Sequence, residues 1–156
     1  FRRVLFRSDR RVVITSGPSD RDAADQVADA ARARLADASA ARIVKCGDFS
    51  LPELRALVEC AALYIGGDSG PLHIASTSAV PIVALYGPTL PARSAPWRSA
   101  ALIAEAAEPP DLPCRPCDQR QCEPGDFRCL GSITPSHVLT LARRALASRV
   151  GGTGPA

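Results

Sequence analysis

Residues 64–75 read YIGGDSGPLHIA, and the character of the chain changes inside this stretch. An apolar run ends in two glycines, and an acid, a hydroxyl, a third glycine and a proline follow. Glycine lets the backbone turn sharply, and proline fits the first turn of a helix. The stretch therefore predicts a strand that passes through a tight loop into a helix at about 70–79, with Asp68 or Ser69 as its N-cap.

The same change from strand to helix recurs along the chain. Short β-branched or apolar runs predict strands, and apolar spacing with a period of 3.6 predicts helices. The predicted strands are 11–15, 42–46, 62–66, 81–87 and 100–105, and the other predicted helices are 20–37, 51–61 and 134–148. Strands that alternate with helices predict an α/β, Rossmann-like fold with a doubly wound parallel sheet.

Length and composition exclude several classes of protein. The chain has 156 residues, of which 46% are apolar, so it suits one compact domain with a real core. A net charge of +3 and an aromatic content of 4% argue against a nucleic-acid platform, and no nucleic-acid partner is expected. No apolar run approaches the roughly 20 residues of a membrane span, so we expect peripheral membrane association at most.

The two ends of the chain differ from the domain between them. Residues 1–10 are arginine-rich and carry no long apolar region, so they do not resemble a signal peptide. We interpret them as a non-native or truncated start, with a degenerate strand or a linker as alternatives. The domain itself is expected to span 11–150, and 151–156 to form a flexible tail.

Glycine-containing loops follow each of the first four predicted strands. Ligands of open parallel sheets bind at the carboxyl ends of the strands, so these loops should share one edge and form an anion site. In the loop at 66–71, Asp68 and Ser69 could either bind a ligand or only cap the helix. His73, one turn later, could reach the same edge or be a buried structural histidine.

Two further loops repeat this chemistry. In YGPT (86–89), Thr89 could donate its hydroxyl to a phosphate or only serve the turn. In SGPSD (16–20), which contains Gly17, Asp20 could accept hydrogen bonds from ribose hydroxyls or only favour the helix dipole. The GxGxxG and Walker A patterns are absent, which argues against a dinucleotide or P-loop site.

Four of the six cysteines, Cys114, Cys117, Cys122 and Cys129, lie in a proline-rich loop at 108–131. Their spacing allows a structural metal site, disulfides, or reduced thiols packed under a loop. Cys46 and Cys60 lie in apolar segments and are expected to be ordinary buried thiols.

Two stretches of the chain resemble the C-terminal half of the family 9 glycosyltransferases, which are the ADP-heptose:lipopolysaccharide heptosyltransferases and their relatives. The stretches are GGDSGPLHIASTSAVPIVALYGPT and CRPCDQRQCEPGDFRCLGSITPSHVLTLARRAL. The cysteine block resembles the heptosyltransferase II-like branch. The resemblance implies a GT-B enzyme with two Rossmann-like domains, of which residues 11–150 would be the donor-binding one. The donor would be ADP-heptose, and the acceptor the lipid A–core of lipopolysaccharide.

The resemblance also implies roles for individual residues. Asp68 would contact the donor sugar, Ser69 and Gly70 the diphosphate, and Asp20 the ribose. The donor-binding set as a whole is Gly17, Asp20, Gly67, Asp68, Ser69, Gly70, Pro71, His73 and Thr89. No cofactor is required, and the expected location is the cytoplasm, at the inner face of the cytoplasmic membrane.

The chain departs from the family pattern in two ways. The acceptor domain and its catalytic base are missing, so no catalytic residue is expected in 1–156. The family's phosphate-binding lysine precedes the SGPSD loop, whereas Lys45 is the only lysine here. We therefore expect a donor-binding fragment that is inactive alone. The alternatives are another GT-B nucleotide-sugar enzyme, either a hexosyltransferase or an epimerase, and a non-enzymatic metal-binding module built on the cysteines.

Overall fold

A computed structural model of the chain describes residues 10–117 and 121–150, of which 149 and 150 by their backbone only. The predicted tail and all of the predicted start except Arg10 thus lie outside the described residues. The chain divides into two compact units, Phe1–Pro52 and Glu53–Ala156.

The first unit is a βαβ crossover. Its elements are β1 (Val12–Thr15), a short 3-10 helix (Pro18–Asp20), α1 (Arg21–Arg32), α2 (Asp37–Ala40) and β2 (Ile43–Cys46). The two strands run parallel, with Val12 paired to Ile43. Helix α1 packs on both strands through its buried alanines, Ala24 and Ala28. The predicted crossover is confirmed.

The predicted helix at 20–37 is broken in the structure, because α1 ends at Arg32 and α2 starts at Asp37. The chain has to return to the start of β1 before β2 can pair with it in parallel. Arg32 stabilises this return, since its Nη2 donates to the carbonyl oxygen of Ile43 at 2.9 Å. Val27, which the periodicity places on the apolar face, is exposed.

The second unit is built around a three-stranded parallel sheet. Its elements are α3 (Leu51–Glu59, whose first two residues belong to the first unit), β3 (Tyr64–Gly67), α4 (Gly70–Ser76), β4 (Ile82–Leu85), α5 (Pro91–Ser94), β5 (Ala104–Ala107), α6 (Arg128–Gly131) and α7 (Pro135–Val150). The strand order is β3-β4-β5. Tyr64, Ile82 and Ala104 lie side by side in register.

Helix α7 covers one face of this sheet. The core there consists of Val83, Ala107, Val138, Leu141, Ala142 and Ala145. Arg144 of α7 forms an ion pair with Glu105, which lies on the same face of β5 as Ala107. Ile82 and Ala84 of β4 flank Val83 in sequence and therefore face the other side of the sheet, where they are also buried. Helix α4 packs on β3 and β4 without joining the α7 core, so we place it on the opposite face.

The α/β class with parallel strands and flanking helices is confirmed. The five strands form two hydrogen-bonded groups, β1–β2 and β3–β5, within the described part of the chain. The last strand lies at 104–107 rather than 100–105, and α4 ends at Ser76 rather than near 79. None of the helices in the described ranges is both long and apolar enough to span a bilayer.

Two predictions of burial are wrong. The 3.6-residue period places Leu51 on the apolar face of the helix, but it is exposed because it is the first residue of α3. Leu54 and Val58, further along the helix, are buried. Cys60 follows the end of α3 and is exposed, and Cys46 is half-buried. Apolar periodicity therefore identified the helix and overestimated how far its buried face extends.

Candidate functional site

In the second unit, the residues that directly follow the three strands form a row at the carboxyl ends of the sheet. Gly67, Leu85 and Ala107 are paired in register, so the next residues, Asp68, Tyr86 and Glu108, lie side by side. The hydrogen-bond ladder of the sheet continues into this row. The Asp68 amide donates to the carbonyl oxygen of Leu85 at 3.2 Å, and the Tyr86 amide donates to that of Ala107 at 2.9 Å. A phenol thus lies between two acids at the edge where parallel sheets bind ligands.

The electrostatics of this row follow from its burial. Burial, and then the negative charges of Asp68 and Glu108, raise the pKa of Tyr86 to about 12. The phenol therefore stays protonated at neutral pH and remains a hydrogen-bond donor. Asp68 is 13% exposed and supplies a carboxylate beside it.

Ser69 is the N-cap residue of α4, but its side chain does not cap the helix. Its hydroxyl lies 3.2 Å from the carbonyl oxygen of Gly67, to which it donates. The prediction of Ser69 as the N-cap residue is confirmed, whereas Asp68 precedes that position. A side-chain cap is not formed, because the Ser69 hydroxyl turns back toward the strand. Capping thus does not account for the acid and the hydroxyl at this loop.

His73 lies on the first turn of α4, close to Asp68. Its Nε2 atom is 3.7 Å from Oδ1 of Asp68. The His73 side chain is 51% exposed, which excludes the alternative of a buried structural histidine. An exposed imidazole and a largely buried carboxylate therefore lie at the same edge of the sheet.

The glycines of this loop have two different roles. A Cβ on Gly66 would collide with the end of the Tyr64 ring, so a side chain there would have to displace the ring. A Cβ on Gly67 or Gly70 would meet nothing within 4 Å. Gly67, Gly70 and the exposed Pro71 thus border open space, and at the two glycines another molecule could approach the backbone closely.

The turn at 86–89 completes this edge. Oγ1 of Thr89 is buried and has no hydrogen-bond partner. Buried polar groups are nearly always paired, so an unpartnered hydroxyl beside the row is a position that a ligand atom could satisfy.

Sequence reasoning missed three residues of this edge. Tyr86 and Glu108 are the first residues after β4 and β5. The predicted strand ends hid them, because Tyr86 lies inside the predicted strand 81–87 and Glu108 lies three residues past the predicted strand 100–105. Arg115 contacts the edge from the cysteine-rich loop, and its partners Tyr86 and Thr89 precede it by 29 and 26 residues. No local sequence pattern encodes such a contact.

Gly17 and Asp20 lie in the first unit, after β1. Gly17 precedes the 3-10 helix, and Asp20 is its last residue; both are exposed. Arg21 forms an ion pair with Asp48, so the loops after β1 and β2 lie at one edge of that unit's sheet. Lys45 pairs with Asp25 of α1.

The four clustered cysteines are free and half-buried. In the described ranges, no three Cys, His, Asp or Glu side chains are arranged to hold a metal ion. Asp126 is the main cause of the raised pKa of Arg128, with smaller contributions from Cys114 and Cys122. Those two thiols therefore lie near the Arg128 guanidinium, and the choice between a structural metal site, disulfides and packed thiols stays a prediction.

Comparison with known proteins identifies the family of the chain. The family described as glycosyltransferase family 9 (heptosyltransferase) matches residues 2–126. The chain is 30% identical over 103 residues to lipooligosaccharide heptosyltransferase 2 of Campylobacter jejuni, covering 65% of this chain and 31% of that protein. It is 31% identical over 144 residues to lipopolysaccharide heptosyltransferase 3 of Escherichia coli, covering 91% of this chain and 39% of that protein.

A solved structure gives the same result at the level of the fold. The crystal structure of a family 9 glycosyl transferase from Veillonella parvula superposes with a TM-score of 0.65 at 25% identity, over 88% of this chain and 37% of that one. The chain thus spans between about a third and two fifths of the length of these relatives. With the family matched over most of its length, the chain belongs to glycosyltransferase family 9.

Proposed function

We propose that this chain is the donor-binding part of a glycosyltransferase that moves heptose from ADP-heptose to the inner core of lipopolysaccharide. Membership of family 9 and the heptosyltransferase names of the relatives support the reaction class. The observation that carries the site assignment is the row of Asp68, Tyr86 and Glu108 beside the open backbone at Gly67 and Gly70.

The proposal assigns roles to individual residues of the edge. The Asp68 carboxylate accepts hydrogen bonds from the donor sugar, and His73 lies beside it. Ser69, the amide of Gly70 and the hydroxyl of Thr89 contact the diphosphate. Contact of Asp20, in the first unit, with the ribose stays a prediction from the family resemblance. Hydrogen-bond donors held in place stabilise the charge that develops on the leaving diphosphate.

The rest of the reaction takes place outside this chain. An acceptor hydroxyl attacks the anomeric carbon with inversion, and the catalytic base and the lipid A–core acceptor site belong to an N-terminal half. The transfer requires no cofactor. We place the protein in the cytoplasm at the inner face of the membrane, where it meets its acceptor without binding nucleic acid.

Binding of ADP tests the donor site directly. We expect weak binding by residues 1–156, with NMR shifts on titration clustered at 16–20, 66–71 and 86–90. Weak binding is expected because the chain spans only 31% and 39% of the length of two relatives. Shifts that cluster elsewhere, or no shifts at millimolar ADP, would contradict the site assignment.

The variant Asp68→Asn separates a ligand role from a structural one. In the full-length protein it should lower kcat/KM by about 10- to 100-fold, because a charged hydrogen bond to the sugar is lost. The midpoint of thermal unfolding should change little, since Asp68 is not the N-cap of α4. The control is Asp37→Asn, an exposed acid in the first turn of α2, which should leave turnover unchanged.

A further inference from the structure

The cysteine-rich segment, residues 108–117 and 121–131, contacts all four residues of the turn at 86–89. Arg115 binds the carbonyl oxygens at both ends of the turn, Tyr86 and Thr89. The Cys117 amide donates to the carbonyl oxygen of Pro88 at 2.9 Å. All three contacts are non-local, so tertiary structure alone connects this segment to the donor edge.

Arg115 is the centre of this connection. Its Nη2 atom lies 3.2 Å from the backbone carbonyl oxygen of Tyr86 and 2.7 Å from that of Thr89. The same atom lies 3.2 Å from the carboxylate atom Oε2 of Glu108. Its side chain is only 6% exposed. One buried cation therefore joins the end of β4, the turn and the residue that follows β5. Hydrogen bonds from an ionised donor are stronger than those between neutral groups.

A second part of the segment packs on the same turn. The side chain of Leu130 covers Gly87, where a Cβ would lie 2.4 Å from Cδ2 of Leu130 and 3.7 Å from Sγ of Cys129. Phe127, with φ at 49°, directs the chain into α6 and so brings Leu130 to this position. The turn is thus held by polar contacts at three of its residues and by apolar packing at the fourth.

We propose that Arg115 is a positioning residue for the donor site and that the cysteine-rich segment serves as a brace for the 86–89 turn. This inference rests on the proposed function. The turn carries Thr89 and orients Tyr86, yet it has no helix or strand of its own to hold it. Without Arg115, two carbonyls and a carboxylate lose one shared donor, and the turn becomes free to sample other conformations. Donor binding then has to include the ordering of the turn.

Steady-state kinetics of the full-length protein test this role with Arg115→Gln and Arg115→Lys. Arg115→Gln should raise the KM for ADP-heptose by about 10-fold while the KM for the acceptor stays unchanged. Arg115→Lys should give an intermediate value, because its ammonium retains the charge but does not reproduce the position at which Nη2 meets all three acceptors. Arg128→Gln is the matched control, since Arg128 lies in the same segment and pairs with Asp126 instead.

The outcomes separate this inference from the proposed function. If the wild-type protein neither binds nor uses ADP-heptose, the proposed function is wrong. If the wild type uses it and Arg115→Gln, folded by circular dichroism, has an unchanged donor KM, the positioning role is wrong. An equal rise in Arg128→Gln would also overturn it.

Leu130→Ala provides a second route if Arg115→Gln does not fold. It removes the packing on Gly87 at a half-exposed residue, so the fold should survive. A raised donor KM with an unchanged acceptor KM supports the brace. An unchanged donor KM in both Leu130→Ala and Arg115→Lys contradicts it.

Discussion

Gly66 and Gly67 are neighbours in β3 with opposite requirements. Gly66 leaves room for the Tyr64 ring, and Gly67 faces open space. We predict that Gly66→Ala lowers the free energy of unfolding by about 1–3 kcal/mol, because the new methyl collides with the ring. Gly67→Ala should change it by less than about 0.5 kcal/mol. Urea unfolding followed by circular dichroism measures both, and equal effects would mean that Tyr64 does not cover Gly66.

The two tyrosines determine how stability depends on high pH. Burial raises the pKa of Tyr64 to about 12, and burial with the two flanking acids does the same for Tyr86. The unfolded chain releases these protons near pH 10, two units earlier than the folded one. The unfolded state then binds fewer protons, so stability is complete below pH 10 and falls between about pH 10 and 12.

Urea midpoints measured from pH 9 to 12 check this dependence. Tyr64→Phe and Tyr86→Phe should each flatten the decline above pH 10, because each removes one titrating phenol. A decline that keeps its slope in both variants would show that the tyrosines do not cause it.

At the scale of elements, helix α7 shows where apolar periodicity is reliable. The spacing predicts Val138, Leu141, Ala142, Ala145 and Leu146 on one face, and all but the half-buried Leu146 are buried. Leu141→Ala should lower the free energy of unfolding by about 2–4 kcal/mol, because it leaves a cavity against the sheet.

Leu146→Ala is the matched substitution for Leu141→Ala. It should cost about 1 kcal/mol or less, since less apolar area leaves water on folding. Thermal or urea unfolding of the two variants gives the difference. If Leu146→Ala is the more destabilising, α7 is rotated relative to the structure.

Element ends were less predictable than element types. The broken helix at 33–36 and the late start of β5 have no glycine or proline at the point of change. Each follows from strand pairing, since β2 must match β1 and β5 must match β4 in register. A tertiary contact such as Arg32 to Ile43 then overrides local helix propensity.

At the scale of the whole molecule, the chain corresponds to 31% and 39% of two heptosyltransferases. We predict that residues 1–156 alone transfer no heptose from ADP-heptose to a truncated core acceptor. The acceptor site is proposed to belong to an N-terminal half. The isolated chain would then not hold the acceptor hydroxyl near the anomeric carbon, and such positioning accounts for about 7–11 kcal/mol of a barrier.

Adding an N-terminal half, fused or in trans, should restore transfer. A mass-spectrometric assay of the acceptor measures both states. Robust transfer by the isolated chain would place the acceptor site and the base within residues 1–156.

The sequence by itself determined the α/β class, the order of strands and helices and the glycine loops at the strand ends. These depend on periodicity and turn chemistry, which act over a few neighbouring residues. It also pointed to Asp68, His73 and Thr89. Only the tertiary structure decided that Asp68, Tyr86 and Glu108 form a row, and that Arg115 reaches back to the 86–89 turn. Such contacts depend on strand register and on packing between residues far apart in the chain, which no local pattern records.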